Sequence, residues 1–267
     1  QARALGCDLR NSDDFADLQR TLAVILASPD YVAYNFNVLW ELFRGDGNRE
    51  TGEQAALREQ LVSSVPLMGL LNSKLKSPRT GLLMKIEYYS FYKELTGNSI
   101  PGVEAIILDR VHHFLLARDL AGSEYDIRDF RESLLLSVAD HQLAGTDFYL
   151  QLLRDPAVDA STLYALAWSF LKSAPAEAEL ILGEIVRHPA AGSGSLRGAA
   201  LWLSTRGSSR QFALLEQIVS HPEVDRQTLD SVASVLTRYE VPGSAELVRE
   251  IVAHPETGSL ALSQVTL

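Results

Sequence analysis

Along the second half of this chain, apolar residues recur at helical spacing in stripes about a dozen residues long, separated by short polar breaks. Leu229, Val232, Ala233 and Leu236 stand at i, i+3, i+4 and i+7, which marks one buried face of a helix. After a polar break from Tyr239 to Gly243, a second stripe follows: Leu247, Val248, Ile251 and Val252. It stops before Pro255, whose ring and missing N–H end a helix. The pattern predicts a helix, a turn and a second helix.

That pair is written several times. Proline recurs every 33 residues, at Pro156, Pro189, Pro222 and Pro255, and three of the four follow histidine (His188, His221, His254), the first following Asp155. Leu163, Leu196, Leu229 and Leu262 stand seven positions after each proline. Ala167, Ala200, Ala233 and then Thr266 stand eleven after, and Ile185, Ile218 and Ile251 close the second helix, each followed by valine. Asp159, Gly192, Asp225 and Gly258 open the units as turn formers just ahead of a helix. Two apolar stripes cannot cover each other within one pair, so neighbouring pairs must stack, with the small alanine allowing close approach. The expected fold is all-α: a right-handed superhelical solenoid of antiparallel helix pairs, about fourteen helices in seven layers.

The same grammar runs backward with less fidelity. Phe130, Leu134 and Val138, then Phe148, Tyr149, Leu152 and Leu153, supply a pair over 123–155 without an opening proline. Residues 123–267 are read as regular repeats and residues 1–122 as divergent or N-terminal capping units of one continuous array. The polar run from Gly45 to Gly52 reads as a loop between helices. The last pair stops at Leu267 inside its first helix and the chain opens on Gln1, so a longer or processed protein is expected.

Charge narrows the possible partners. Thirty-four acidic residues against 24 basic ones leave a formal charge of −10, the wrong sign for a general phosphate-backbone binder, so no nucleic acid is expected. No run approaches 18 apolar residues, so no transmembrane segment is expected. Cys7 is the single cysteine, which excludes an intrachain disulfide and leaves the compartment open.

Three groups of residues suggest chemistry. The His-Pro ladder pairs Glu184 with His188 and Glu250 with His254 at i, i+4. Stacked helices lie roughly 8–10 Å apart, whereas metal ligands must converge to about 2 Å from one ion, so the ladder is read as helix-end structure. His112 and His113 sit near Asp109 and Arg118 without a nucleophile motif or Gly-rich loop. No catalytic residue, cofactor or metal is expected. Aromatics crowd the first half: Tyr31, Tyr34, Phe36, Trp40 and Phe43, then Tyr88, Tyr89, Phe91 and Tyr92. Phe36, Trp40 and Phe43 of the first group fit one buried stripe. The second covers too much of a helix to be wholly buried, and Lys85 and Lys93 flank it, within a window that also holds Lys74 and Lys76. Tyr88, Tyr89, Tyr92, Lys85 and Lys93 are therefore the candidate partner-binding patch, since aromatic and cationic anchors dominate interface energetics.

The helix-turn-helix units with interior leucine and alanine resemble the HEAT and armadillo α-solenoid families. The His-Pro turn followed by Asp or Gly resembles leucine-rich-variant repeats. The resemblance covers residues 123–267 well and implies a non-catalytic scaffold that binds a partner protein or peptide. The alternative is a regulatory or substrate-holding region of a larger enzyme or secreted bacterial effector. A helical-repeat enzyme or nucleic-acid processor comes third.

Overall fold

The computed structural model describes residues 15–44, 52–117, 120, 122–173, 177–206, 211–238 and 244–265. Cys7, the polar run from Gly45 up to Gly52, Arg118, the break from Tyr239 to Gly243, and Thr266 lie outside the described residues. The described residues form sixteen helices and no strand, so the all-α expectation stands, with two helices more than the pattern predicts. They divide into two compact units, with the boundary after Ile107.

The first unit holds α1 (Phe15–Leu26), α2 (Pro29–Tyr34), α3 (Phe36–Arg44), α4 (Gly52–Val62), α5 (Val65–Lys76) and α6 (Leu82–Thr96). The expected single aromatic segment is two short helices here, α2 and α3, with Asn35 between them. Two helix junctions are tied by side chains. Ser64 caps α5 by accepting from the Leu67 N–H at 3.2 Å, and its hydroxyl donates to the Leu26 carbonyl at the end of α1. Arg58 of α4 donates to the Leu95 and Glu94 carbonyls at the end of α6, where Gly97 turns the chain with φ 69°. Lone carbonyls at a helix end call for such donors, and glycine takes a left-handed conformation without a Cβ clash. α7 (Val103–Leu116) carries the boundary between the units.

The second unit continues with α8 (Glu124–Asp140), α9 (Thr146–Arg154), α10 (Ala160–Lys172), α11 (Ala178–Arg187), α12 (Ser193–Arg206), α13 (Gln211–Val219), α14 (Arg226–Arg238), α15 (Ser244–Ala253) and α16 (Ser259–Val265). The even-numbered helices pack successively on one another, as do α9, α11, α13 and α15. Leu163, Leu196 and Leu229 are fully buried, as are Ala167, Ala200 and Ala233 and then Ile185, Ile218 and Ile251. Burying one such leucine or isoleucine contributes about 1.5–3 kcal/mol. Val235, not Leu236, completes the buried stripe of α14, because the helix turns that side toward its neighbours. Phe130 also departs from expectation. It is 38% exposed and leans edge-on against Phe114 at 5.0 Å.

Aspartate caps two of the helix starts in this unit. Asp159 accepts from the N–H and the hydroxyl of Thr162, both at 2.8 Å, and Asp225 repeats the arrangement with Thr228 at 2.8 and 2.7 Å. Buried Arg131 of α8 reaches the Asp159 carboxylate at 3.1 and 3.2 Å and also donates to the Ala117 carbonyl. Burial alone would raise the Asp159 carboxyl, but the Thr162 and Arg131 bonds outweigh it and hold the group below its usual value. Where glycine replaces the aspartate at Gly258, Asp230 of α14 supplies the missing acceptor to the Ala261 N–H at 2.9 Å.

Candidate interaction surface

The aromatic and lysine patch of the first half centres on α6. Lys85, Tyr88 and Tyr89 are buried, so these three are not surface positions. Adjacent residues point about 100° apart on a helix, and Tyr88 and Tyr89 can both be covered only because α4 and α5 both pack on α6. Phe36 of α3 adds to the cover, with its ring 4.4 Å from Tyr88 and 5.4 Å from Phe91, and Trp40 meets Phe91 edge-on at 4.7 Å. Side-chain placement of Phe43 lies outside the described residues. Tyr92 and Lys93 stay half-exposed.

Glu104 of α7 organises this corner. Its Oε2 accepts from the Tyr89 hydroxyl at 3.0 Å and from Lys93 Nζ at 3.3 Å. Burial, then the Glu104 hydrogen bond and charge, push the Tyr89 phenol up to about 12. That direction is wrong for a phenolate base at neutral pH, and the cluster reads as a structural tie. Exposed aromatics of the first unit lie elsewhere: Tyr31 and Tyr34 of α2 are 54% and 67% exposed, outside the stripe expected of Phe36, Trp40 and Phe43.

The His-Pro ladder has a single geometry. Nδ1 of His188, His221 and His254 accepts the backbone N–H two residues on, from Ala190, Glu223 and Glu256, at 3.1, 3.1 and 3.2 Å. Oδ1 of Asp155 does the same for Ala157 at 2.9 Å. This explains why aspartate and histidine exchange at this position, since each offers an acceptor at the right reach to close a turn. The contact these imidazoles share at the helix end is therefore with a backbone N–H. An Nδ1 lone pair used in this way leaves the proton on Nε2, which then has none for a metal. Among the described residues, no three His, Cys, Asp or Glu side chains converge on a metal position. His113 is exposed with Nδ1 2.8 Å from the Asp109 carbonyl, and the His112 ring meets Phe148 edge-on at 6.4 Å.

An open dish of about 650 Å³ lies along the last two of these turns, lined by His221, Pro222, Glu223, Asp225, His254 and Glu256 among others.

The second unit carries an aromatic stack that sequence reasoning missed. Tyr164 and Trp168, one turn apart on α10, lie with rings 5.5 Å apart at 26°. The Arg128 guanidinium of α8 sits 4.8 Å above the Tyr164 ring. Trp168 Nε1 donates to the Gly194 carbonyl at 3.1 Å, which fixes the indole while both rings remain half-exposed. Arg197, at the position of α12 that corresponds to Tyr164, is half-exposed and donates to Gln227 Oε1 at 2.5 Å. On α14, Arg226 is exposed, and Asp230 is committed to the α16 cap. The available signal was Tyr and Trp at i, i+4 on a helix with arginine 36 residues before the tyrosine; only the packing of α8 on α10 brings that arginine over the ring.

In comparisons with known proteins, no family model matches the chain, and neither a curated protein nor a solved structure matches it. No helix among the described residues is long and apolar enough to cross a membrane.

Proposed function

We propose that this chain is a non-catalytic helical-repeat scaffold whose 33-residue helix pairs stack in a right-handed superhelical array and hold a partner protein or peptide. The binding face is the line of first helices in the pairs, α8, α10 and α12. The observation that carries this reading is the half-exposed Arg128–Tyr164–Trp168 stack, with Arg197 on the next helix. Arginine, tyrosine and tryptophan are the residues in which interface energy concentrates, and a stack already ordered loses little side-chain freedom on binding. Of the five-residue patch on α6, Tyr92 and Lys93 remain as its outward part, with Lys85, Tyr88 and Tyr89 supporting it from beneath.

Partner binding by the intact chain is measured against two variants, Arg128→Glu with Trp168→Gln, and Tyr92→Ser with Lys93→Glu. Circular dichroism checks that each is folded. The reading expects the first to weaken the complex by about 30-fold or more, the loss of one hot spot of ~2 kcal/mol. Loss confined to the second variant moves the site to α6, and full binding by both refutes these two faces.

A further inference from the structure

His188 closes the turn after α11 with Nδ1, at 3.1 Å from the Ala190 nitrogen, and its ring also hydrogen-bonds the Leu153 backbone at the end of α9. The amide at Ala190 can only donate, so Nδ1 holds a lone pair and the ring is neutral. We propose that His188 is a proton-operated latch on its own turn: neutral, it holds the Ala190 N–H while bonded to the Leu153 backbone of α9, and protonated, it keeps the Leu153 bond and releases the Ala190 N–H. An imidazolium presents N–H at both nitrogens, so the Ala190 amide then faces a donor and loses its partner.

The surroundings favour the neutral form. Burial lowers the affinity of His188 for a proton, and the Leu153 bond offsets this only in part. The helices packed on α11 are α9, α10, α12 and α13. The charged or titratable groups at this end of them are Arg154 at the end of α9 and Asp155 after it, Asp159 before α10, Arg197 one turn into α12, and His221 and Glu223 after α13. Arg187 precedes it on its own helix and pairs with Glu184 at 3.1 Å. Asp155 accepts from the Ala157 N–H, and Asp159 is held by Thr162 and Arg131. The folded state binds fewer protons than the unfolded one, so the latch's stabilisation is whole above about 6.5 and is lost as pH falls through the lower folded value.

Asp155 shows which variant keeps the turn without the switch: His188→Asn retains a short acceptor that does not titrate. Hydrogen exchange at the Ala190 amide is measured from pH 7.5 to 5.0 in the intact chain, corrected for intrinsic exchange. The parent is expected to lose about tenfold of protection per pH unit once the ring titrates, and His188→Asn is expected to hold its protection. Protection flat with pH in the parent, or falling equally in the variant, would overturn the latch. Nitrogen shifts of the parent ring decide without a variant: a proton on Nδ1 at pH 7.5 refutes the proposal, and a proton on Nε2 supports it.

Discussion

Arg131 is a buried guanidinium whose contacts span three elements. It meets the Asp159 carboxylate at the start of α10 and the Ala117 carbonyl after α7, from its own place on α8. Removing one partner of a buried ion pair leaves the other uncompensated, at a cost of about 3–5 kcal/mol when both are deep. Asp159 is 45% exposed, so Arg131→Ala should fall near the lower end, roughly 3 kcal/mol by urea denaturation. Asp159→Asn keeps an oxygen for the Thr162 N–H and should lose less than Asp159→Ala, which removes the cap and costs about 1 kcal/mol more. The pH profile separates charge from cap. The folded carboxyl lies below 3.8, so its contribution is present above that value and is lost as pH falls through the lower folded one. Stability measured from pH 5 to 2 should therefore fall less steeply in Asp159→Asn than in the parent.

Between elements, α12 approaches α10 closely at Gly198. A Cβ at Gly198 would lie 2.9 Å from the Ala167 Cβ and 3.4 Å from the Ala167 carbonyl carbon, so backbone would have to move. Gly198→Ala should destabilise by about 1–3 kcal/mol although alanine is the better helix former. Gly69 sits within α5 with open space where its Cβ would be, and Gly69→Ala should stabilise by roughly 0.5–1 kcal/mol. Thermal melts of the two variants should move in opposite directions. The buried alanines could be read from the chain because they recur at a fixed interval. Gly198 could not, because its neighbour on α10 is set by the crossing of two helices and no periodicity encodes that. The α6 patch was misjudged for a related reason. A helix with aromatics on several sides looks too apolar to hide until α3, α4 and α5 are seen to supply the cover.

At the scale of the whole molecule, helical content, helix ends and most core positions of residues 123–265 were legible, because one pattern is restated in each pair and its errors average out. The first unit was less legible: its proline spacing is irregular, α2 and α3 are short, and Tyr31 and Tyr34 turn outward. The Arg128–Tyr164–Trp168 stack joins residues on two helices, and nothing local marks it. Ala233, fully buried on α14, tests the core register: Ala233→Asp places an unpaired carboxylate there and should unfold the pairs around it, seen as lost helical signal at 25 °C. We propose that 33 residues form one interchangeable helix pair. Deleting 189–221 removes one such unit and joins His188 to Pro222, restoring a His-Pro turn. Stability in a stacked array is close to a sum of unit and neighbour terms, so this shortened chain should keep its helicity and melt cooperatively. Deleting 189–210, which breaks the interval, should not. The measurement is a thermal melt of both by circular dichroism. A cooperative transition for the 33-residue deletion alone is the predicted result, and equal collapse of both would contradict the repeat.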